Sequence, residues 1–222
     1  MDLQALALTL RLAAVTTIFL MALSLPLAWW LARAHSPLRS IVESLTSLPL
    51  LLPPTVLGFY LLVLLGPTSA PGSIITKLLG HPLAFTFNGL VVGSILYSLP
   101  FAVQPLVAGL RALPAALLED ASLLGASPAR VFLRVALPLA RTSVVTAALL
   151  AFMHTVGEFG VVLMLGGNIP GRTRTVSIAL YDQVQQFDYA SANRTALVLL
   201  VAAFAALLAI YSRRNRNGGR LV

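Results

Sequence analysis

Cysteine is absent from the 222 residues, lysine occurs once, at Lys77, and only 10% of the chain is charged. Without cysteine there is neither a disulfide nor a thiolate metal site. His35, His81 and His154 stand far apart with no partner at ligand spacing, so no metal centre is expected. The phosphate-binding pattern G-x-x-x-x-G-K-[ST] is missing as well, which removes a nucleotide site of that kind. The other 14 basic residues are arginines scattered between apolar runs. No basic stripe with interleaved aromatics is present, so the net charge of +8 is no sign of nucleic-acid binding.

What the chain has in excess is apolar surface: 58% hydrophobic residues and a mean hydropathy of +0.91. A soluble domain carries about 45–50% apolar and about 25% charged residues, and one this short cannot hide so much more. Several runs approach or exceed the roughly 20 residues that cross a bilayer. The composition therefore predicts an all-α polytopic membrane protein, a single transmembrane domain over residues 1–222 with its core at 8–211. Five spans are expected at 8–31, 43–65, 88–110, 142–165 and 195–211, with a sixth possible. Ala32-Arg33-Ala34 superficially resembles a signal-peptide cleavage site, but the run from Leu12 to Leu31 is too long for a signal core and Asp2 replaces a basic start. That run is expected to remain as the first helix.

Orientation follows from the loop charges, because basic residues stay on the cytoplasmic side. Arg33, Arg39, Arg111, Arg130, Arg134, Arg141, Arg213, Arg214, Arg216 and Arg220 follow spans one, three and five. Against those ten, the other side holds Lys77, Arg172, Arg174 and Arg194, and Arg11 lies near the outer end of span one. The amino terminus is thus expected outside and the carboxyl terminus in the cytoplasm. Trp29 and Trp30 stand where an aromatic belt precedes the first basic loop.

Pro49, Pro53 and Pro54 fall in the second span, Pro100 and Pro105 in the third. Each removes a backbone donor and strands a carbonyl one turn back, which lipid cannot satisfy. Those turns should face protein or a wet path, making Pro53, Pro54 and Thr55 pathway or gate candidates; a packing kink is the alternative. Ser94 with Ser98 and Thr142 with Thr146 repeat at helical spacing, either lining a path or allowing close helix packing.

The loop of residues 111–141 holds Glu119-Asp120-Ala121-Ser122-Leu123-Leu124-Gly125, nine further residues, then Val135-Ala136-Leu137-Pro138. Good helix formers follow Pro114, and Gly125 suits a C-terminal cap. Ser127 and Pro128 restart a helix as cap and first residue, and Pro138 ends or kinks it. Two short helices with a sharp bend, on the cytoplasmic face, are predicted.

This pattern resembles the permease family of binding-protein-dependent ABC importers, whose signature is Glu-Ala-Ala, three residues, Gly, nine residues, Ile, one residue, Leu-Pro. Glu119, Ala121, Gly125, Leu137 and Pro138 match at the right spacing, while Asp120 replaces Ala and Val135 replaces Ile. The resemblance implies a type I importer permease fold and a coupling segment that docks on a separate ATPase. Its residues are Glu119, Asp120, Ala121, Gly125, Ala126, Val135, Leu137 and Pro138. This chain would then be a transport subunit with no cofactor of its own and no enzyme activity, ATP and Mg being used by the partner. An amphipathic connector lying on the membrane is the plainer alternative.

Leu48 to Gly58 resembles the second span of oxyanion importers for molybdate and sulfate. Gly157-Glu158-Phe159-Gly160, with the run from Gly166 to Thr175, is most similar to molybdate permeases. The resemblance implies import of molybdate, with tungstate or sulfate as alternatives, across a bacterial or archaeal (inner) membrane. The implied partners are a second copy, two ATP-binding subunits and a periplasmic or extracellular molybdate-binding protein. Arg172, Arg174 and Arg194 are candidates for attracting the anion or an acidic binding protein; alternatively they pair with Asp182 and Asp188. Asn168 is a pathway candidate, though with Gly166 and Gly167 it also suits a turn. Glu158 is a carboxylate within span four, where an ionised group is costly and faces protein or water. His154 lies one turn earlier and is expected on the same helix face, able to pair with it. A negative charge is a poor ligand for a dianion, so Glu158 is read as gating or structural. An intramembrane enzyme would need more catalytic groups than Glu158 and His154, and a passive channel leaves the coupling signature unexplained.

Overall fold

The carboxyl of Asp2 accepts the Ala5 amide at 2.9 Å and caps helix α1 (Leu3–Arg33), leaving an apolar rod of about 46 Å. The computed structural model describes residues 2–218, with side chains as far as Tyr211. No strand occurs among them. Of the basic residues counted above, Arg213, Arg214 and Arg216 lie beyond the described side chains, and Arg220 lies outside the described residues.

Helix α5 (Phe87–Arg111) starts at Thr86, whose hydroxyl accepts the Gly89 amide at 3.1 Å. It packs with α1 and α9 (Arg141–Gly157) into the central layer. Leu20, Ala102 and Ala151 meet at its middle, and Leu31, Leu106, Leu110 and Ala147 at one end. At the other end Leu12 and Leu90 meet Val162 and Ile178. Ala13, Ala28, Ala102, Ala147 and Ala151 are all fully buried, because in lipid close packing of small residues holds helices together. Pro100 and Pro105 remain within α5, and Pro100 is buried against protein, as the stranded carbonyls require.

Two expected spans are not straight. The segment at 43–65 divides into α2 (Pro37–Ser47), a 3-10 turn (Leu48–Leu50) and α3 (Pro54–Leu65), with a bend of 109°. Pro53 and Pro54 cause it: the residue before a proline is driven out of the helical region, and Pro53 has ψ 134. The segment at 142–165 is α9 followed by a break at Glu158 and Phe159 and then α10 (Gly160–Gly166). Short helices α4 (Ala70–Leu79) and α11 (Val176–Gln185) connect the longer elements. The last span begins six residues before its expected start, as α12 (Tyr189–Gly218). Only 6% of the most apolar stretch of α12 is buried, against 56% for α5, so α12 is peripheral and presents Leu200, Val201 and Phe204 outward. Among the described residues three helices are long and apolar enough to cross a membrane, or up to five if Pro37–Leu50 with Pro54–Leu65 and Pro128–Leu139 with Arg141–Gly157 each form one bent span.

Candidate functional site

The segment between Glu119 and Pro138 is built as two short helices and a reversal. Helix α6 (Ala115–Leu123) closes with the Ala126 amide donating to the Ala121 carbonyl at 3.1 Å and the Gly125 amide to Ser122 at 3.0 Å. That pair of bonds is a Schellman closure, and it needs a left-handed residue; Gly125 supplies it at φ +84. Ser127 then caps α7 (Pro128–Val131), which runs through a π-helical stretch (Phe132–Ala136) into α8 (Leu137–Leu139), with Pro138 near its start. A bend of 78° follows, leading into α9.

One face of this segment is anchored. Leu118, Val131 and Ala136 are buried with Leu31 and Leu110, and Ala121, Ala126 and Val135 pack on that cluster. The Phe132 ring lies 5.1 Å from Trp29, and the Arg33 guanidinium lies 4.6 Å over the Trp29 ring. The opposite face is open: Glu119, Asp120, Gly125 and Pro138 are exposed, and Leu123 and Leu124 are 85% and 89% exposed. These two leucines were not singled out from the sequence, although two apolar residues immediately before a capping glycine were a usable signal.

The two helix breaks meet. Pro54, Thr55, Glu158 and Gly160 line one cavity of about 450 Å³ with Tyr97 and His154. Their approach is close because Gly160 has no side chain: a Cβ there would lie 2.6 Å from that of Pro54. Glu158 is 3% exposed, and among the described residues neither carboxyl oxygen has a hydrogen-bond partner. The Ser94 hydroxyl adjoins it but is itself without a bond. The expected Glu158–His154 pair does not form, because α9 ends at Gly157 and Glu158 is extended at ψ 133. His154 instead meets the Ser98 hydroxyl at 2.9 Å and stacks on Phe101. Ser98 also meets Thr155 at 3.1 Å, so its role is to pack α5 on α9. Thr142 and Thr146 line a separate cavity beside α12. Tyr97 had no sequence signal, since only the fold brings α5 to the breaks.

The remaining candidates do not line this cavity. Pro53 is the N-terminal flank of α3. Asn168 donates to Asp182 at 2.7 Å and accepts from Arg174 at 2.6 Å, and Arg174 also pairs with Asp182 at 3.3 Å and Asp2 at 3.9 Å. Asn168 and Arg174 thus serve a loop network outside the cavity. Arg172 is exposed and lines a different cavity. Arg194 lies in α12, near Asp188. Hydrogen bonds from Ser191 hold the Asp188 carboxyl below its ordinary value, with a smaller pull from Arg194.

The chain is 51% identical over 219 residues, 98% of its length and 96% of the relative's, to the molybdenum transport system permease protein ModB of Azotobacter vinelandii. It is 33% identical over 214 residues, 96% of its length and 77% of the relative's, to the sulfate transport system permease protein CysT of Escherichia coli. Its fold is similar to a chain in the crystal structure of a bacterial alginate ABC transporter, with a TM-score of 0.76 at 18% identity over 96% of this chain and 78% of that one. The match to the binding-protein-dependent transport system inner membrane component family runs over residues 7–216, and at nearly full length it makes the chain a member of that family of ABC importer permeases.

Proposed function

We propose that this chain is the membrane-spanning subunit of an ATP-driven molybdate importer. The observation that carries this reading is the 51% identity, over nearly the whole of both chains, to a molybdenum transport permease. Two copies would enclose the path, two ATP-binding subunits would sit at the cytoplasmic face, and a molybdate-binding protein would dock opposite. ATP and Mg belong to the partner subunits. In this reading the amino terminus is outside the inner membrane, and the exposed face of Glu119, Asp120, Leu123 and Leu124 meets the ATPase. The anchored face transmits its movement to α1, α5 and α9. Two interrupted helices sharing a cavity are suited to a path, because irregular backbone at membrane depth is tolerated where it borders protein or water.

Selection among oxyanions is tested by uptake into vesicles reconstituted with both partners, with molybdate, tungstate and sulfate in competition. ATP-dependent uptake displaced by molybdate and tungstate, and weakly by sulfate, is expected; sulfate preference overturns the molybdate assignment. In this scheme Glu158 biases the gate. Replacing it by glutamine keeps the volume but removes the ionisable group, and should lower uptake about fivefold, the smallest usual coupling between two conformational states. Uptake at the parent rate by an assembled Glu158→Gln transporter contradicts the gating role.

A further inference from the structure

A cavity of about 1040 Å³ lies away from both sites, at the other end of α1 from Trp29. Arg11, Arg172, His81, Gln4 and Asn88 are among its lining residues, and none of the lining residues is acidic. Arg11 lies 4.6 Å over the Phe87 ring. Among the described residues neither Arg11 nor Arg172 has a carboxylate at ion-pair distance, whereas Arg174 close by has two. The cavity therefore presents two guanidinium groups without counter-charge.

Its depth in the membrane follows from α1. Trp29, with Arg33 over its ring, marks one interface. Arg11 is 18 residues earlier on the same helix, about 27 Å away, close to the roughly 30 Å thickness of the hydrocarbon. Arg11 therefore stands at the opposite headgroup level. Ile18 follows it by two turns and shares its face; Ile18, Phe19 and Leu23 are 69%, 56% and 55% exposed. A cationic pocket thus opens at the head of an exposed apolar stripe. Of the anions available there, one that also carries acyl chains fits both halves.

We propose that Arg11 and Arg172 clamp the phosphate of an anionic phospholipid whose acyl chain runs along Ile18, Phe19 and Leu23. Guanidinium groups suit this because they bind phosphate oxygens in a bidentate manner, and Gln4 and Asn88 offer hydrogen bonds to the glycerol and ester region. The chemistry recognised is a phosphate oxyanion, and the acyl stripe is what selects the lipid over a free anion.

The test uses the assembled transporter, delipidated and then given phosphatidylglycerol or phosphatidylcholine, with bound lipid counted by native mass spectrometry. Phosphatidylglycerol should be retained preferentially, and each guanidinium removed in R11Q/R172Q should weaken retention about fivefold. R11K/R172K, which keeps the charges but not the bidentate fork, should fall between the parent and the glutamine variant. If R11Q/R172Q does not assemble, R172Q alone, in an exposed loop, provides the same comparison. Unchanged phosphatidylglycerol retention in the glutamine variants overturns the proposal. So does its release by millimolar molybdate or inorganic phosphate, which would assign the pocket to a free oxyanion.

Discussion

Replacing Gly125 by valine is expected to lower uptake by at least about tenfold, the effect of roughly 1.4 kcal/mol on an equilibrium, while the chain still inserts and assembles. A Cβ at this position has nothing within 4 Å, so no neighbour is struck. The whole penalty lies in the backbone. Gly125 is left-handed at φ +84, a conformation that costs an ordinary L-residue about 1–2 kcal/mol and a β-branched one more. Relief requires opening the two bonds that close α6, and the displaced residues are the exposed Leu123 and Leu124. ATP hydrolysis should continue while transport falls. The two rates, measured in the same vesicles, separate this outcome from simple loss of protein. Asparagine tolerates the left-handed region, so Gly125→Asn should retain most transport. Coupled transport at the parent rate in the valine variant would remove the mechanical role given to this turn.

A comparable loss of uptake, again about tenfold or more, is expected for Gly160→Val, by a different route. The added Cβ would lie 2.6 Å from Pro54 Cβ and 3.5 Å from both the Pro54 carbonyl carbon and the Thr55 amide. A proline ring cannot rotate aside, so α3 and α10 must separate, at a cost of about 1–3 kcal/mol for overpacking. That separation reshapes the cavity shared by Pro54, Thr55, Glu158 and Gly160. Gly157→Ala is the internal control. It lies at the same break, but its Cβ would meet nothing within 4 Å, and it should transport nearly as the parent. Equal loss in both variants would show that any disturbance of the break suffices, and the specific contact of Gly160 with Pro54 would not be the cause. Thermal unfolding in detergent should show the valine variant alone destabilised.

The parts legible beforehand share a property: their cause lies within a few residues of chain. Helix α5, expected at 88–110 and found at Phe87–Arg111, is a continuous apolar run behind a threonine cap. The turn at Gly125, the cap at Ser127 and the start at Pro128 follow from local backbone preference. The miss at Glu158 has the opposite origin. Its partnership with His154 presupposed a helix continuing through residue 158, and nothing local stops it decisively.

The amino-acid order by itself determined that this chain lives in a bilayer, where its long helices run, and that a capped reversal lies between Glu119 and Pro138. Hydropathy, proline and glycine act on their own segment whatever surrounds them. Tertiary structure alone decided that the breaks at Pro53–Pro54 and Glu158–Phe159 are one place. Gly58 lets α3 approach Met164, and Gly160 lets α10 approach Pro54, so segments about a hundred residues apart in the sequence share a cavity. It also decided that Arg174 is neutralised in a loop network while Arg11 and Arg172 face a pocket without counter-charge. Such pairings depend on which surfaces meet, and short-range chain preferences do not carry that information.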